Sequence, residues 1–174
     1  MHADLSPLIA ATSHWLTSAY PACGGALSSV LCEVQARQAV TVAAWLRYPT
    51  LMDAALVGMA GPGGSGRLDW ITGADGTATD GVEDAWRSWV DEVVASWAAC
   101  LLVDEDLAAL AVAALMEGDH ALGLPVEFRR LVTPDDGDRR AAALLRHPDL
   151  LAPVAELHHA PLLDLLRPGQ ALVA

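Results

Sequence analysis

Two stretches of the chain place a glutamate three residues before a histidine, a spacing suited to metal binding. Glu117 and His120 form the first pair, in ALMEGDHALG, and Glu156 and His159 form the second, in VAELHHAP. Residues three apart share a face of a helix, so each pair would present a carboxylate and an imidazole to one ion. Both groups bind zinc, iron or manganese in proteins. These four residues are the candidate metal ligands.

Two such pairs with two further glutamates form the di-iron or di-manganese sites of some helix bundles. Glu33 and Glu92, both inside predicted long helices, would complete that set. The chain departs from the bundle pattern because Gly118 interrupts the first pair, while Pro153 and Pro161 bound the second. Ligands in these bundles lie on long continuous helices. We therefore expect no cofactor and keep a site for iron, manganese or zinc as the alternative.

Tryptophans recur at helical spacing in DAWRSWVDEVVASWAAC. One face of a helix predicted over residues 81–102 carries an apolar side chain at every turn: Val82, Trp86, Trp89, Val93, Trp97 and Leu101. This spacing is typical of core packing, and it also suits a pocket for an apolar ligand or an anchor for a protein partner. With one tryptophan of a neighbouring predicted helix added, the candidate ligand-binding residues are Trp45, Trp86, Trp89 and Trp97.

Basic residues are concentrated between residues 129 and 146, which hold half of the arginines. Guanidinium groups bind carboxylates and phosphates. The candidate anion-binding residues are therefore Arg129, Arg130, Arg139 and Arg140. The alternative is ion pairing with acids of the same stretch, namely Glu127, Asp135, Asp136 and Asp138.

Residues 61–81, GPGGSGRLDWITGADGTATDG, are rich in glycine and are predicted to form one long loop, within which RLDWIT would suit a short strand. Loops of this length in compact domains are usually functional or mobile, so the segment is either a lid or partner-binding arm or a simple connector. Its Gly61-x-Gly63-x-x-Gly66 pattern lacks the preceding strand that dinucleotide binding requires. A phosphate-binding loop is excluded because the chain contains no lysine.

The remaining elements are predicted helices, because apolar residues recur every three or four positions. The helices are expected near residues 7–19, 26–47, 50–59, 81–102, 105–117, 125–132, 134–146, 149–159 and 161–166. Acids at expected helix starts favour capping: Thr50 with Asp53, Asp80 with Glu83, Thr133 with Asp136, and the run Asp104–Asp106. The sequence therefore predicts a single compact all-α domain over residues 1–174.

The formal net charge of −12 excludes nucleic acid as a partner, because each phosphate contact requires a cationic side chain. No apolar run is long enough to cross a membrane, and the first residues lack the pattern of a secretion signal. Cys23, Cys32 and Cys100 are widely spaced and predict free thiols. The absence of lysine and asparagine is typical of bacteria with GC-rich genomes. We expect a cytoplasmic bacterial protein.

Two functional hypotheses follow from these patterns. The first is a non-catalytic binding or accessory protein that engages a protein partner or a small hydrophobic ligand through its tryptophans and residues 61–81. The second is a small metal-dependent helical enzyme that uses the two Glu-x-x-His pairs. We favour the first, because catalysis usually leaves a motif and no nucleophile motif is present. The sequence leaves open whether the protein is catalytic and whether it forms a homodimer.

Overall fold

A computed structural model describes residues 4–74, 82–116, 118, 120 and 128–167. The regular structure within these ranges is helical, without a strand, which confirms the predicted all-α class. The α-helices are α1 Ser6–Ala19, α2 Ala26–Arg47, α3 Leu51–Ala60, α4 Gly66–Thr72, α5 Glu92–Val103, α6 Glu105–Leu115, α7 Arg129–Val132, α8 Asp136–Ala141, α9 Pro148–Ala155 and α10 His159–Leu166. A 3-10 helix, Val82–Trp89, precedes α5, and a 3-10 turn, Glu156–His158, joins α9 to α10.

Helix α5 lies at the centre of the fold because it is apolar around almost its whole circumference. Its only charged residue is Glu92, in the first turn, and every residue from Val94 to Leu102 is buried. A helix without a polar face must be covered on all sides. The helices α2, α9 and α6 pack against it, and α1 packs against α2.

Small side chains allow α2 and α5, the most extensively packed pair of helices, to approach closely. The fully buried alanines of these two helices are Ala36, Ala39, Ala43, Ala44, Ala95, Ala98 and Ala99. The distance between packed helices depends on the side chains at the contact, so these alanines favour a short separation. Larger side chains at these positions would force the two helices apart.

Two predicted helix starts are confirmed. The Thr50 hydroxyl accepts the Asp53 N–H, and the Asp53 carboxylate accepts the Thr50 N–H, which completes the capping box of α3. The Thr50 hydroxyl and the Thr50 N–H both donate to the Asp53 carboxylate, at 2.6 and 3.1 Å, and these two bonds lower the pKa of Asp53 because they favour the charged form. At the start of α6, the Asp104 carboxylate accepts the Leu107 N–H at 2.9 Å.

The predicted cap of Thr133 with Asp136 is wrong. The helix α8 starts two residues later, where Asp135 and Asp138 form the capping box. The Thr133 hydroxyl instead donates to the Arg129 carbonyl of the preceding helix at 3.3 Å. The remaining expected pair cannot be placed, since Asp80 lies outside the described residues.

The continuous helix expected over residues 81–102 is interrupted at Asp91. This residue has an extended backbone, with φ −99° and ψ 119°, and its carboxylate caps α5 by accepting the Val94 N–H at 3.0 Å. The same carboxylate accepts the Tyr48 hydroxyl at 2.5 Å, and the Asp91 N–H donates to the Thr12 hydroxyl at 3.4 Å. These partners belong to distant segments, so periodicity within the segment did not reveal the break.

The loop expected over residues 61–81 contains a helix, α4, in place of the short strand. Asp69 of α4 is buried and accepts hydrogen bonds from Trp15 Nε1 and Ser65 Oγ, each at 2.9 Å. Arg87 lies 3.0 Å from the same carboxylate. These contacts, together with the fully buried Leu68, stabilise a helix in a glycine-rich stretch. Residues 75–81 lie outside the described part of the chain.

Helices α8 and α9 are shorter than the helices expected at 134–146 and 149–159, whereas α10 begins two residues before the helix expected at 161–166. Helix α8 ends at Ala141 and turns follow to Arg146, whereas one helix was predicted over residues 134–146. The helix predicted over residues 149–159 is divided by the 3-10 turn, and α10 begins at His159. Side chains of α5 bond to the backbone at this division, as described below. Of the helix expected at 125–132, residues 128–132 are described, and α7 begins at Arg129 after Phe128.

Because the Asp91 carboxylate both caps α5 and accepts the Tyr48 hydroxyl, its removal should destabilise the protein more than the removal of an ordinary helix cap. Asp91→Ala should lower the free energy of unfolding by about 2–4 kcal/mol, because it removes the α5 cap and leaves the Tyr48 hydroxyl without its acceptor. Thr50→Ala, which removes only an exposed cap, should cost about 1 kcal/mol. Urea unfolding followed by circular dichroism measures both, and equal losses would contradict the dual role.

Candidate functional site

Trp45 packs against other aromatic rings near the end of α2. Its indole stacks on the His120 imidazole, with ring centroids 5.4 Å apart and planes 13° apart. Phe128 contacts it edge-on at 6.2 Å. His120 is held in place because its Nε2 lies 2.7 Å from the Tyr48 carbonyl oxygen. The aromatic packing joins α2 to residues near α7.

The other three candidate tryptophans have different neighbours. Trp97 is buried on α5, and its Nε1 donates to the His158 carbonyl at 2.9 Å. Trp86 meets the His14 ring edge-on at 4.3 Å. Trp89 lines a shallow cleft with Met59 of α3. The four tryptophans therefore make separate contacts, and their predicted role in ligand binding stays a prediction.

Three of the four candidate anion-binding arginines lie against carboxylates. Arg129 and Arg130 both pair with Asp138, whose side chain is fully buried. Arg139 forms a two-pronged contact with Glu105 on α6, at 2.7 and 3.2 Å. The two pairs with Asp138 favour the ion-pairing alternative, whereas Arg139 pairs with an acid outside the basic stretch. Arg140 is exposed, and its predicted binding of an anion stays a prediction.

Arg146, the fifth arginine of the basic stretch, is a structural centre that the sequence did not distinguish from its neighbours. Its guanidinium donates to Gln35 Oε1 at 2.6 Å and to the carbonyls of Leu102, Arg130 and Leu131 at 3.0, 2.7 and 3.2 Å. Burial lowers its pKa, and the nearby charge of Glu105 opposes that shift. The planar guanidinium, with donors in several directions, links α2, α5 and α7.

The structure places the candidate metal ligands in two environments. His120 stacks on Trp45, as described above, while Glu156 and His159 line a cleft beside α5. Glu117 lies outside the described residues, so the complete four-ligand site stays a prediction. Within the described ranges, no three histidine, cysteine, aspartate or glutamate side chains are grouped so that they could hold a metal ion.

The cleft beside α5, which we call the α5–α9 cleft, has a volume of about 280 Å³. Its walls come from α5, α6, α9 and the start of α10, and the lining residues are Cys100, Val103, Asp104, Leu107, Pro148, Ala152, Ala155, Glu156 and His159. The lining combines an apolar interior with two carboxylates and an imidazole. Sequence reasoning identified Glu156 and His159 but assigned Asp104 only to capping.

Side chains of α5 position Glu156 and His159 by holding the 3-10 turn between α9 and α10. Ser96 Oγ donates to the Ala155 carbonyl and accepts the His158 N–H, both at 3.0 Å. The His158 ring lies 2.8 Å from Glu92. These bonds, with the one from Trp97, leave His158 turned toward α5 and the following residue, His159, in the cleft wall.

The thiol of Cys100 lines the cleft and is protonated at neutral pH. The Cys100 side chain is almost fully buried and donates to the Ala155 carbonyl at 3.3 Å. Burial raises the pKa of this thiol to about 11, because desolvation disfavours the thiolate. Cys100 is thus a neutral, weakly polar part of the cleft and not an activated nucleophile.

Helix α3 presents an exposed apolar surface. Only Ala54 of its ten residues is buried. Leu51, Met52, Leu56 and Met59, which we call the α3 face, are more than half exposed, with Met59 at 77%. The largest exposed apolar patches on monomeric proteins are often functional. Periodicity predicted this helix, but the sequence did not show which of its apolar residues remain uncovered.

Comparison with known proteins identifies no relative. Neither a protein-family model, a curated protein nor a solved structure matches the chain significantly. None of the described helices is both long enough and apolar enough to cross a membrane. The fold, the α3 face and the α5–α9 cleft describe a compact helical protein with an apolar helix face and a partly acidic cleft.

The bonds of Arg146 predict that lysine cannot replace it. Arg146→Lys keeps the positive charge but offers a single ammonium group, which cannot reach acceptors on three segments at once. The free energy of unfolding should fall by about 2–4 kcal/mol, because buried acceptors are left unpaired. Arg140→Lys, at an exposed position, should stay within about 0.5 kcal/mol of the parent protein. If urea unfolding shows equal effects, Arg146 is not the link described.

The cysteines should differ sharply in reactivity. Cys23 is exposed, whereas burial raises the pKa of Cys32 and of Cys100 to about 11. At pH 8 roughly one in a thousand of the buried thiols is ionised. A disulfide reagent should therefore modify Cys23 quickly, and the other two only after unfolding or as the pH approaches 11. Cys23→Ser should remove the fast phase, and a fast phase that persists would contradict this assignment.

Proposed function

We propose that the protein is a non-catalytic binding protein whose α3 face docks into an apolar groove of a basic partner protein. The observation that carries this proposal is the exposure of four large apolar side chains on one short helix. Such a surface costs free energy in water and becomes favourable when a partner covers it.

The spacing of the exposed residues suits insertion of the helix into a groove. Met52, Leu56 and Met59 follow one another at four and three positions, so they form one stripe along α3. Helices that lie in hydrophobic grooves use anchors at this spacing. Two of the three anchors are methionines, whose flexible side chains adapt to the shape of a partner. The helix α3 is therefore suited to be the inserted element.

The size of the α3 face argues against a dimer formed through this face alone. A ten-residue helix is about 15 Å long and about 10 Å in diameter, so the outer half of its cylindrical surface measures on the order of 250 Å². Stable interfaces bury about 800 Å² on each partner. A flat contact between two copies of α3 falls well short, whereas a groove that encloses the helix on three sides covers more of it.

Charge favours a basic partner. The chain carries a formal net charge of −12, and α3 contributes Asp53 but no cation. Long-range attraction speeds association between oppositely charged surfaces and disfavours partners of like charge. An acidic partner, or a second copy of this acidic chain, would instead be repelled. The rim of the groove is therefore expected to carry lysine or arginine.

The cleft at Trp89 extends the proposed docking surface beyond α3. Met59 of the α3 face and Trp89 line this cleft together with Gly61 and Gly63. An open cleft beside an exposed helix offers a place for a side chain of the partner, and partly buried tryptophans are frequent anchors in interfaces. In this way one of the four tryptophans and the glycine-rich segment take part in the binding role expected from the sequence.

Crosslinking from α3 tests the proposal. A photo-reactive amino acid at position 52 or 59 should give a crosslinked product with a basic protein in a lysate of the native host. Leu56→Glu should weaken binding of that purified partner by more than about tenfold, since a charge would enter an apolar groove. Isothermal titration calorimetry at two salt concentrations measures the affinity, which should fall as salt rises.

A matched control separates specific docking from nonspecific hydrophobic association. Leu27→Glu changes a leucine on α2 that is more exposed than Leu56, at 73% against 52%, and should leave the affinity unchanged. Both glutamate variants should keep the parent unfolding free energy within about 0.5 kcal/mol, because both positions are exposed. Crosslinks only to a second copy of the chain, to acidic proteins, or to nothing would each overturn the proposal. So would equal weakening by the two substitutions.

A further inference from the structure

We propose that the α5–α9 cleft binds a small organic amine, with its apolar body inside the cleft and its ammonium group at the acidic rim. This site is separate from the α3 face, since its walls come from α5, α6, α9 and the start of α10. The inference therefore stands or falls independently of the docking of α3.

The interior of the cleft indicates the size and polarity of the ligand that would fit. Val103, Leu107, Ala152 and Ala155 supply apolar walls. The thiol of Cys100 adds no charge, since it is buried and already donates to the Ala155 carbonyl. The volume of about 280 Å³ lies just below the usual range for ligand pockets. A ligand of about ten non-hydrogen atoms with one apolar group suits this space.

The rim determines the charge of the ligand. Asp104 and Glu156 lie in the lining, and no arginine is among the described residues that line the cleft. Asp104 Oδ1 accepts the Leu107 N–H at 2.9 Å, and a carboxylate can accept several further donors. Glu156, also in the lining, is exposed. A primary ammonium group, with three donors, can bond to such carboxylates, whereas an anion would be repelled.

His159 completes the rim without changing this preference. It lies in the lining with Glu156, and a neutral imidazole accepts one hydrogen bond at a ring nitrogen. The neighbouring His158 does not compete for this position, because its ring lies 2.8 Å from Glu92 on α5.

The test compares three probes of similar size and different charge, namely 2-phenylethylamine, 2-phenylethanol and 3-phenylpropionate. The amine should bind with a Kd of about 0.1–1 mM, a range reached by ligands of this size. The alcohol should bind at least about tenfold more weakly, and the carboxylate more weakly still. Nuclear magnetic resonance titration of the full-length protein at pH 7.5 measures each Kd.

Substitutions then locate the binding. Glu156→Gln and Asp104→Asn should each weaken the amine by about tenfold and leave the alcohol unchanged. Asparagine is itself a good N-cap residue, so the α6 start is kept in the second variant. Ala152→Leu, which fills part of the cleft, should weaken both probes. Glu33→Gln, an exposed residue of α2, is the control for a general loss of negative charge and should change nothing.

Several results would overturn the proposal. One is an amine that binds no better than the alcohol, or that fails to bind at about 10 mM, tenfold above the expected Kd. Another is amine binding that survives Ala152→Leu, which would place the amine elsewhere on the acidic surface. Equal weakening by Glu33→Gln and Glu156→Gln would mean that only the net charge attracts the amine. Melting curves show whether each variant is folded.

Discussion

The guanidinium group of Arg146 is the interaction that most of the helical arrangement depends on. One side chain bonds to Gln35 of α2, to Leu102 of α5 and to two carbonyls of α7. Gln35 is fully buried, and its amide donates to the Asp138 carbonyl at 2.8 Å. This second bond connects α2 to α8. Carbonyls at helix ends lack partners within their own helix, and Arg146 supplies such partners where short helices meet in the core.

Similar polar links fasten the other side of the central helix. Asp91 ties the start of α5 to Tyr48, while Ser96 and Trp97 tie its middle to the backbone of the α9–α10 turn. Buried polar groups are favourable only when they are hydrogen-bonded. No buried side-chain nitrogen or oxygen of the described residues lacks a partner. Apolar burial therefore drives the packing of α5, and these bonds select one arrangement of the helices around it.

The two proposed sites follow from what this arrangement leaves uncovered. Helix α3 follows α2 after a short turn and lies outside the core, with only Ala54 buried, so its apolar side chains face solvent. The α5–α9 cleft exists because the 3-10 turn bends the chain and sets Glu156 and His159 against the start of α6. A ligand or partner that binds only the folded protein at either surface would stabilise it.

Periodicity and local chemistry determined the helical class, the bounds of α2 and the caps at Thr50 and Asp104, because these depend on residues within a few positions of each other. The bends at Asp91 and Glu156, the helix at Asp69 and the role of Arg146 depend on partners far along the chain. A single sequence does not show which residues far apart in the chain lie close together in space. Glu156 and His159 were recognised as a pair by spacing, but only the tertiary structure placed them beside Asp104 and an apolar cleft.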